Sequence, residues 1–173
     1  EEGEQTDCMC RPVVENPQLW TPDTPYLYML ESFCMIDGKV VDSVKTPIGI
    51  RTAVFDADQG FLLNSRSVKI KGVCLHHDCG ITGAAGTREV WERRLLMLKD
   101  MGCNGIRMSH NPPMPVLLDL CDELGFLVMD EIYDEWMLSK NKNENYYSES
   151  MAFGASQFFI RDSKDELSTM IRR

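Results

Sequence analysis

Three short stretches of the 173-residue chain gather groups that can move protons or hold a polar ligand: His76-His77-Asp78, Arg107-Met108-Ser109-His110-Asn111 and Asp130-Glu131. They contain all three histidines of the chain. Imidazole, guanidinium and carboxylate groups together suit hydrogen bonding to a hydroxyl-bearing ligand, acid–base work, or metal ligation. The metal option turns on spacing. His76 and His77 are adjacent, so in an extended strand they point to opposite faces and one of them at most serves a common centre. No histidine follows His110, which leaves a zinc-type hydrolase too few ligands. An oxygen-ligated Mg²⁺ on Glu131 or Glu135 stays open.

Each group also has a purely structural reading. The histidine that faces away is expected to be a satisfied structural residue. Arg107 reads either as a ligand contact or as the partner of a buried carboxylate. Asp130 and Glu131 alternate faces, and one of them is expected to pair with Arg107 or to cap a helix. Trp20 and Trp91 stand at core-like positions, while Trp136 reads as a stacking surface or as core. Tyr146 and Tyr147 lie in the polar loop 138–150, read as a lid or a solvated loop.

The elements that must position these groups come from periodicity and punctuation. Lys69–Leu75 reads as a strand. Thr87–Met101 reads as an amphipathic helix with Val90, Trp91, Leu95 and Leu98 on one stripe and Gly102 at its end. Asn104–Met108 is a second strand. Pro112–Leu124 is a second helix, with proline in its first turn and Gly125 after it. Phe126–Met129 is a wholly apolar strand, expected to be buried on both faces, and Gln157–Arg172 a third helix. Alternating strands and helices predict a parallel sheet whose strand ends share one rim, the place where barrel enzymes build their sites. No Gly-x-Gly-x-x-Gly follows the first strand, so a dinucleotide site has no support.

Upstream the pattern differs. Tyr26–Phe33, a turn at Asp37-Gly38, Lys39–Val44 and Ile48–Phe55 read as three strands of one antiparallel sheet, part of a sandwich. Phe61–Leu63 and Val68–Ile70 flank a further turn at Asn64–Ser67. The fold class is therefore mixed: an antiparallel β-sandwich portion over residues 1–57, followed over 58–173 by parallel βα units that could begin a barrel or a doubly wound sheet.

Composition narrows the partners. The chain is 43% hydrophobic and 26% charged, with a net charge of −9. That acidity argues against nucleic acid and anionic membranes. No apolar run approaches the ~20 residues of a membrane span. The seven cysteines form no Cys-x-x-Cys, and their odd number speaks against a disulfide framework. Cys103 and Cys121 read as small hydrophobes. The chain opens on Glu1 without a signal peptide and is expected to be a processed or excised piece.

Several blocks, in this order, resemble glycoside hydrolase family 2: Leu19-Trp20 with Pro25-Tyr26-Leu27-Tyr28, Gly49-Ile50-Arg51-Thr52, Lys71-Gly72-Val73-Cys74-Leu75-His76-His77-Asp78, Met101 through Pro113, and Leu120–Gly125 with Asp130-Glu131. The Arg-x-Ser-His-Asn-Pro-Pro run at 107–113 carries most of the specificity. The pattern resembles the β-galactosidase branch, with β-glucuronidase as the alternative. The resemblance implies a jelly roll, an immunoglobulin-like sandwich and a (β/α)₈ TIM barrel, of which the sandwich end over 1–57 and three βα units of the barrel over 58–173 stand here. It implies a retaining β-galactosidase-type hydrolysis of O-glycosidic bonds by two glutamates about 5–5.5 Å apart. Both belong to later strands, so no catalytic residue is assigned here, and the chain by itself is expected to be inactive. The resemblance places substrate contacts at His76 and His110, orientation of the nucleophile at Arg107, and lesser roles at Asn111 and Asp130. It aligns Glu135 with a Mg²⁺-binding carboxylate, but Met137 stands where a histidine ligand is usual. Ser65, Met108 and Cys79 replace the usual glycine, threonine and glycine. A carbohydrate is the expected partner, and a homo-oligomer of the intact protein stays open. The expected setting is soluble, cytoplasmic or periplasmic.

Overall fold

A computed structural model describes residues 9–137 and 156–172. Its first element pair is a hairpin of β1 (Tyr28–Ile36) and β2 (Lys39–Ile48), antiparallel with Ile36 opposite Lys39. Asp37 and Gly38 both take positive φ, 50° and 73°, the backbone twist that a two-residue hairpin requires. The register slips once, between Cys34 and Met35.

The third extended piece does not join this hairpin, contrary to expectation. It shortens to β3 (Ala53–Asp56) and pairs with β4 (Gly60–Leu63), which pairs with β5 (Arg66–Ser67) in a separate antiparallel sheet. The reason lies at Trp20. Its N–H donates to the Ile50 carbonyl at 2.9 Å. Its ring presses on Gly49 so closely that a Cβ there would sit 3.1 Å from it. The chain thus wraps around the indole between β2 and β3 instead of extending.

From β6 (Gly72–His76) onward strands and helices alternate: α1 (Arg88–Asp100), β7 (Gly105–Ser109), α2 (Pro115–Leu124), β8 (Leu127–Met129) and α3 (Ser156–Ile171). The strands form one parallel sheet in the order β6-β7-β8, with Gly72 beside Gly105 and Gly105 beside Leu127. The mixed architecture, antiparallel sheets followed by parallel βα units of a partial barrel, is therefore as the sequence indicates. The second helix starts at Pro115, later than expected, because proline suits a first helical position while Pro112 and Pro113 force extended backbone ahead of it.

The packing follows from strand alternation. Ile106 and Met108 point from β7 toward the helices and are buried with Trp91, Leu95, Leu117, Leu120, Cys121 and Phe126. Arg107, between them, points to the other face. That face changes the reading of β8. Val128 and Met129, on opposite faces of the strand, are 37% and 62% exposed, so this strand is not buried on both faces as expected. With Arg51, Phe55, Phe61, Ile70 and Val73 they line an open apolar concavity of about 480 Å³.

The segment around Trp20 fastens the upstream sheets to the base of the parallel sheet. Trp20 is 1% exposed, and its Nε1–H donates to the Asp122 carbonyl at 2.8 Å. Asn64 Nδ2 donates to the Trp20 carbonyl at 3.0 Å. Lys99 Nζ donates to the carbonyls of Pro22 at 2.5 Å and Gly125 at 3.1 Å. Gly125 ends α2 at φ 79°, and a Cβ there would stand 2.2 Å from the Pro22 oxygen. Glycine is thus demanded twice over, by conformation and by space. Among the described residues no helix is long and apolar enough to cross a membrane.

Candidate functional site

The carboxyl ends of β6, β7 and β8 bring the polar stretches to one rim. Cys74 and His76 alternate onto the face that carries Arg107, and Cys74 lies directly opposite Arg107 in the ladder. His76 meets His110 edge to face, with ring centroids 5.4 Å apart. His77 turns the other way, its ring 6.5 Å from Trp91. The adjacent histidines thus divide between rim and helical layer.

Glu131 is the hub of the cluster. One of its oxygens accepts from Arg107 Nε in an ion pair. The other lies 2.6 Å from His110 Nδ1. Arg107 Nη2 stands 3.4 Å from the same His110 nitrogen, and Nη1 donates to Cys74 Sγ at 3.8 Å. Partial burial pulls the Glu131 carboxyl upward, but hydrogen bonds from His110 and Arg107 outweigh it and hold the group below the usual glutamate range. The same pairing with Glu131 raises Arg107 further. Glu131 is therefore an anion at neutral pH and acts only as an acceptor.

These groups open into a cavity of about 620 Å³ lined by Arg107, His110, Asp130, Glu131, Tyr133, Asp134, Glu135 and Trp136. Helix α3 supplies the opposing wall through Phe159, Leu167 and Met170. Tyr133 holds that wall, donating its hydroxyl to Glu166 and packing on Phe159 with centroids 5.5 Å apart. Trp136 is 68% exposed, which excludes the core reading and leaves an indole presented at the cavity. Trp20 and Trp91 pack, each 1% exposed.

The structure places His76, Arg107 and His110 together, and Asp130 shares the cavity lining. Asn111 is exposed and, with His76, His77, Trp91 and Met114, lines a small crevice rather than the cavity that holds Arg107 and His110. The expected pairing of Asp130 or Glu131 with Arg107 falls to Glu131; Cys74 is the residue that sequence reasoning left without a place. The usable signal was alternation: once Arg107 faces the concave side, its neighbours one strand away on that face follow from register. Tyr146, Tyr147 and the loop 138–150 lie outside the described residues.

The residues at hand do not fit a metal. Both Glu131 oxygens are engaged by Arg107 and His110. Among the described residues no group of three His, Cys, Asp or Glu side chains gathers where it could hold an ion. Glu135 is 4% exposed, and Met137 beside it carries no imidazole.

Residues 54–169 match the family of glycosyl hydrolases family 2, TIM barrel domain, and residues 1–51 match glycosyl hydrolases family 2. A β-galactosidase of Bacteroides ovatus is 51% identical over 151 residues, covering 86% of this chain and 18% of that protein. A glycosyl hydrolase family 2 member from Bacteroides cellulosilyticus superimposes with a TM-score of 0.80 at 41% identity, over 91% of this chain and 19% of that one. A Parabacteroides merdae β-glucuronidase aligns with a TM-score of 0.63 at 35% identity, over 69% of this chain and 15% of that one. The chain spans less than a fifth of the length of these relatives. By these matches, and with antiparallel sheets leading into parallel βα units, the chain belongs to glycoside hydrolase family 2.

Proposed function

We propose that the intact protein carrying this chain is a retaining exo-β-glycosidase of the β-galactosidase type, to which this segment contributes part of the sugar-gripping rim. The observation that carries the reading is the convergence of His76, Arg107 and His110 on one strand-end rim around Glu131. In this reading His76 and His110 hydrogen-bond sugar hydroxyls, and those bonds strengthen as charge develops in the transition state. Arg107 orients the nucleophilic glutamate supplied by a later strand. Trp136 offers an apolar face to a sugar ring, while Asp130 and Asn111 have supporting parts.

Supporting the β-galactosidase reading are the Bacteroides ovatus relative and the sequence blocks; the Parabacteroides merdae structure speaks for β-glucuronidase as the second reading. We also place the division between sandwich and barrel portions near residue 57; the two matched segments part between residues 51 and 54, and the β3–β4 hairpin lies across residue 57.

The test is hydrolysis of aryl β-galactosides and aryl β-glucuronides by the intact protein. Preference for the galactoside is expected. Turnover of neither would sink the reading, and preference for the glucuronide would replace it with the second. The 173-residue chain alone is expected to show no turnover, since two carboxylates at retaining geometry are needed.

A further inference from the structure

We propose that Glu131 is a positioning residue that keeps the His110 proton on Nδ1, so that Nε2 faces the cavity as a hydrogen-bond acceptor for a sugar hydroxyl. The argument is one of donors and acceptors. Two groups approach His110 Nδ1: a Glu131 oxygen at 2.6 Å and Arg107 Nη2 at 3.4 Å. A guanidinium N–H only donates, and an ionised carboxylate only accepts. The shorter contact needs a hydrogen on Nδ1, because the carboxylate also receives the Arg107 Nε–H and is held ionised by it. With Nδ1 protonated, Arg107 Nη2 has no lone pair to meet there, and the 3.4 Å approach is a packing contact. The Nη2 hydrogens are then free for a ligand or for a later carboxylate.

The other imidazole nitrogen looks into the cavity. Nε2 lies 3.8 Å from Asp134 Oδ1, beyond hydrogen-bond distance, and both residues belong to the cavity lining. A neutral imidazole with its hydrogen on Nδ1 presents a lone pair at Nε2. It therefore selects a hydroxyl that can donate. One carboxylate sets two reading groups at once, the acceptor at His110 and the donor at Arg107. This is the logic by which a hydrogen bond on one ring nitrogen fixes the role of the other.

The proton placement stands by itself; only its use on a sugar rests on the glycosidase reading, and the experiment separates them. Solid-state ¹⁵N NMR of the histidine-labelled chain without substrate, with the His110→Asn variant to assign the signals, reads the tautomer directly. A pyrrole-like Nδ1 and a pyridine-like Nε2 are expected. A protonated Nε2, alone or in an imidazolium, overturns the proposal whatever the enzyme does. In Glu131→Gln the amide can turn its NH₂ toward Nδ1, and the two signals are expected to exchange character. Unchanged His110 signals in a folded variant overturn it as well. In the intact protein the same substitution is expected to lower kcat/KM about 10–100-fold, the usual scale for losing a partner that orients a site residue, with Glu131→Asp restoring part of it. An inactive wild-type protein would remove the glycosidase reading and leave the NMR result untouched.

Discussion

The hairpin β1–β2 and the strand β7 are both rich in apolar residues, yet they use them in opposite ways. Along the hairpin Met29, Phe33, Met35, Ile36, Val40, Val41 and Val44 are each more than half exposed. On β7 both Ile106 and Met108 are nearly sealed, at 3% and 2%. The hairpin holds its shape through a local ladder and a tight turn, whereas β7 is held by the helices packed on it. Local pairing alone fixes direction and register; a covered face adds the burial free energy, about 25 cal/mol per Å² of apolar surface. Two regions of similar composition therefore contribute very differently to stability.

The largest way to break that contrast is to empty the covered side. Trp91→Ala removes an indole that is 1% exposed, and about 3–5 kcal/mol of stability should be lost, read from denaturant unfolding of the chain. Phe33→Ser on the hairpin should change the same curve by no more than about 0.5 kcal/mol. An equal loss at both positions would show that the hairpin is covered after all.

The contrast sharpens at the rim, where cohesion is ionic. Glu131 is held below the ordinary glutamate value, so its contribution is present above about pH 4.3 and is lost as pH falls through the lower folded value. Acid titration of the wild-type chain should show a stability decrement below about pH 4.3 that Glu131→Gln lacks. Parallel curves for the two would remove the ion pair from the stability account.

A smaller effect is expected at the β4–β5 turn. Ser65 sits at φ 63°, beside Asn64 at 51°. Asparagine tolerates that conformation and serine pays for it, so Ser65→Gly should raise stability by about 0.5–1 kcal/mol. Loss of stability would mean that the hydroxyl has a structural part in the turn. The smallest expected signal is chemical. Burial pushes the Cys121 thiol up to about 12. Alkylation at pH 8 should therefore spare it while reaching the exposed Cys34 and Cys74.

Much of this was legible in the residues because it depends on local rules. The helix ends at Gly102 and Gly125, the Asp37-Gly38 turn and the alternation around Arg107 all follow from backbone preference and side-chain period. What escaped depends on contacts distant in sequence. The break before β3 comes from Trp20, some thirty residues upstream, and no pattern within Ile48–Phe55 announces it. The uncovered side of β8 escaped because an apolar strand looks alike whether one face or both are packed. In the site, the histidine and arginine positions could be read from strand ends. Which of Asp130 and Glu131 meets Arg107, and the part of Cys74, could not, because they arise from register between strands more than twenty residues apart.

Gly125 gives the attachment of the two halves an all-or-none character. The Pro22 oxygen occupies the space that any side chain at this position would need, and Lys99 clamps both carbonyls from the same side. A single methyl group there would act as a wedge, prising the leading sheets from the floor of the parallel one. The mouth at the far end of the strands would feel that change only through the tilt of α2.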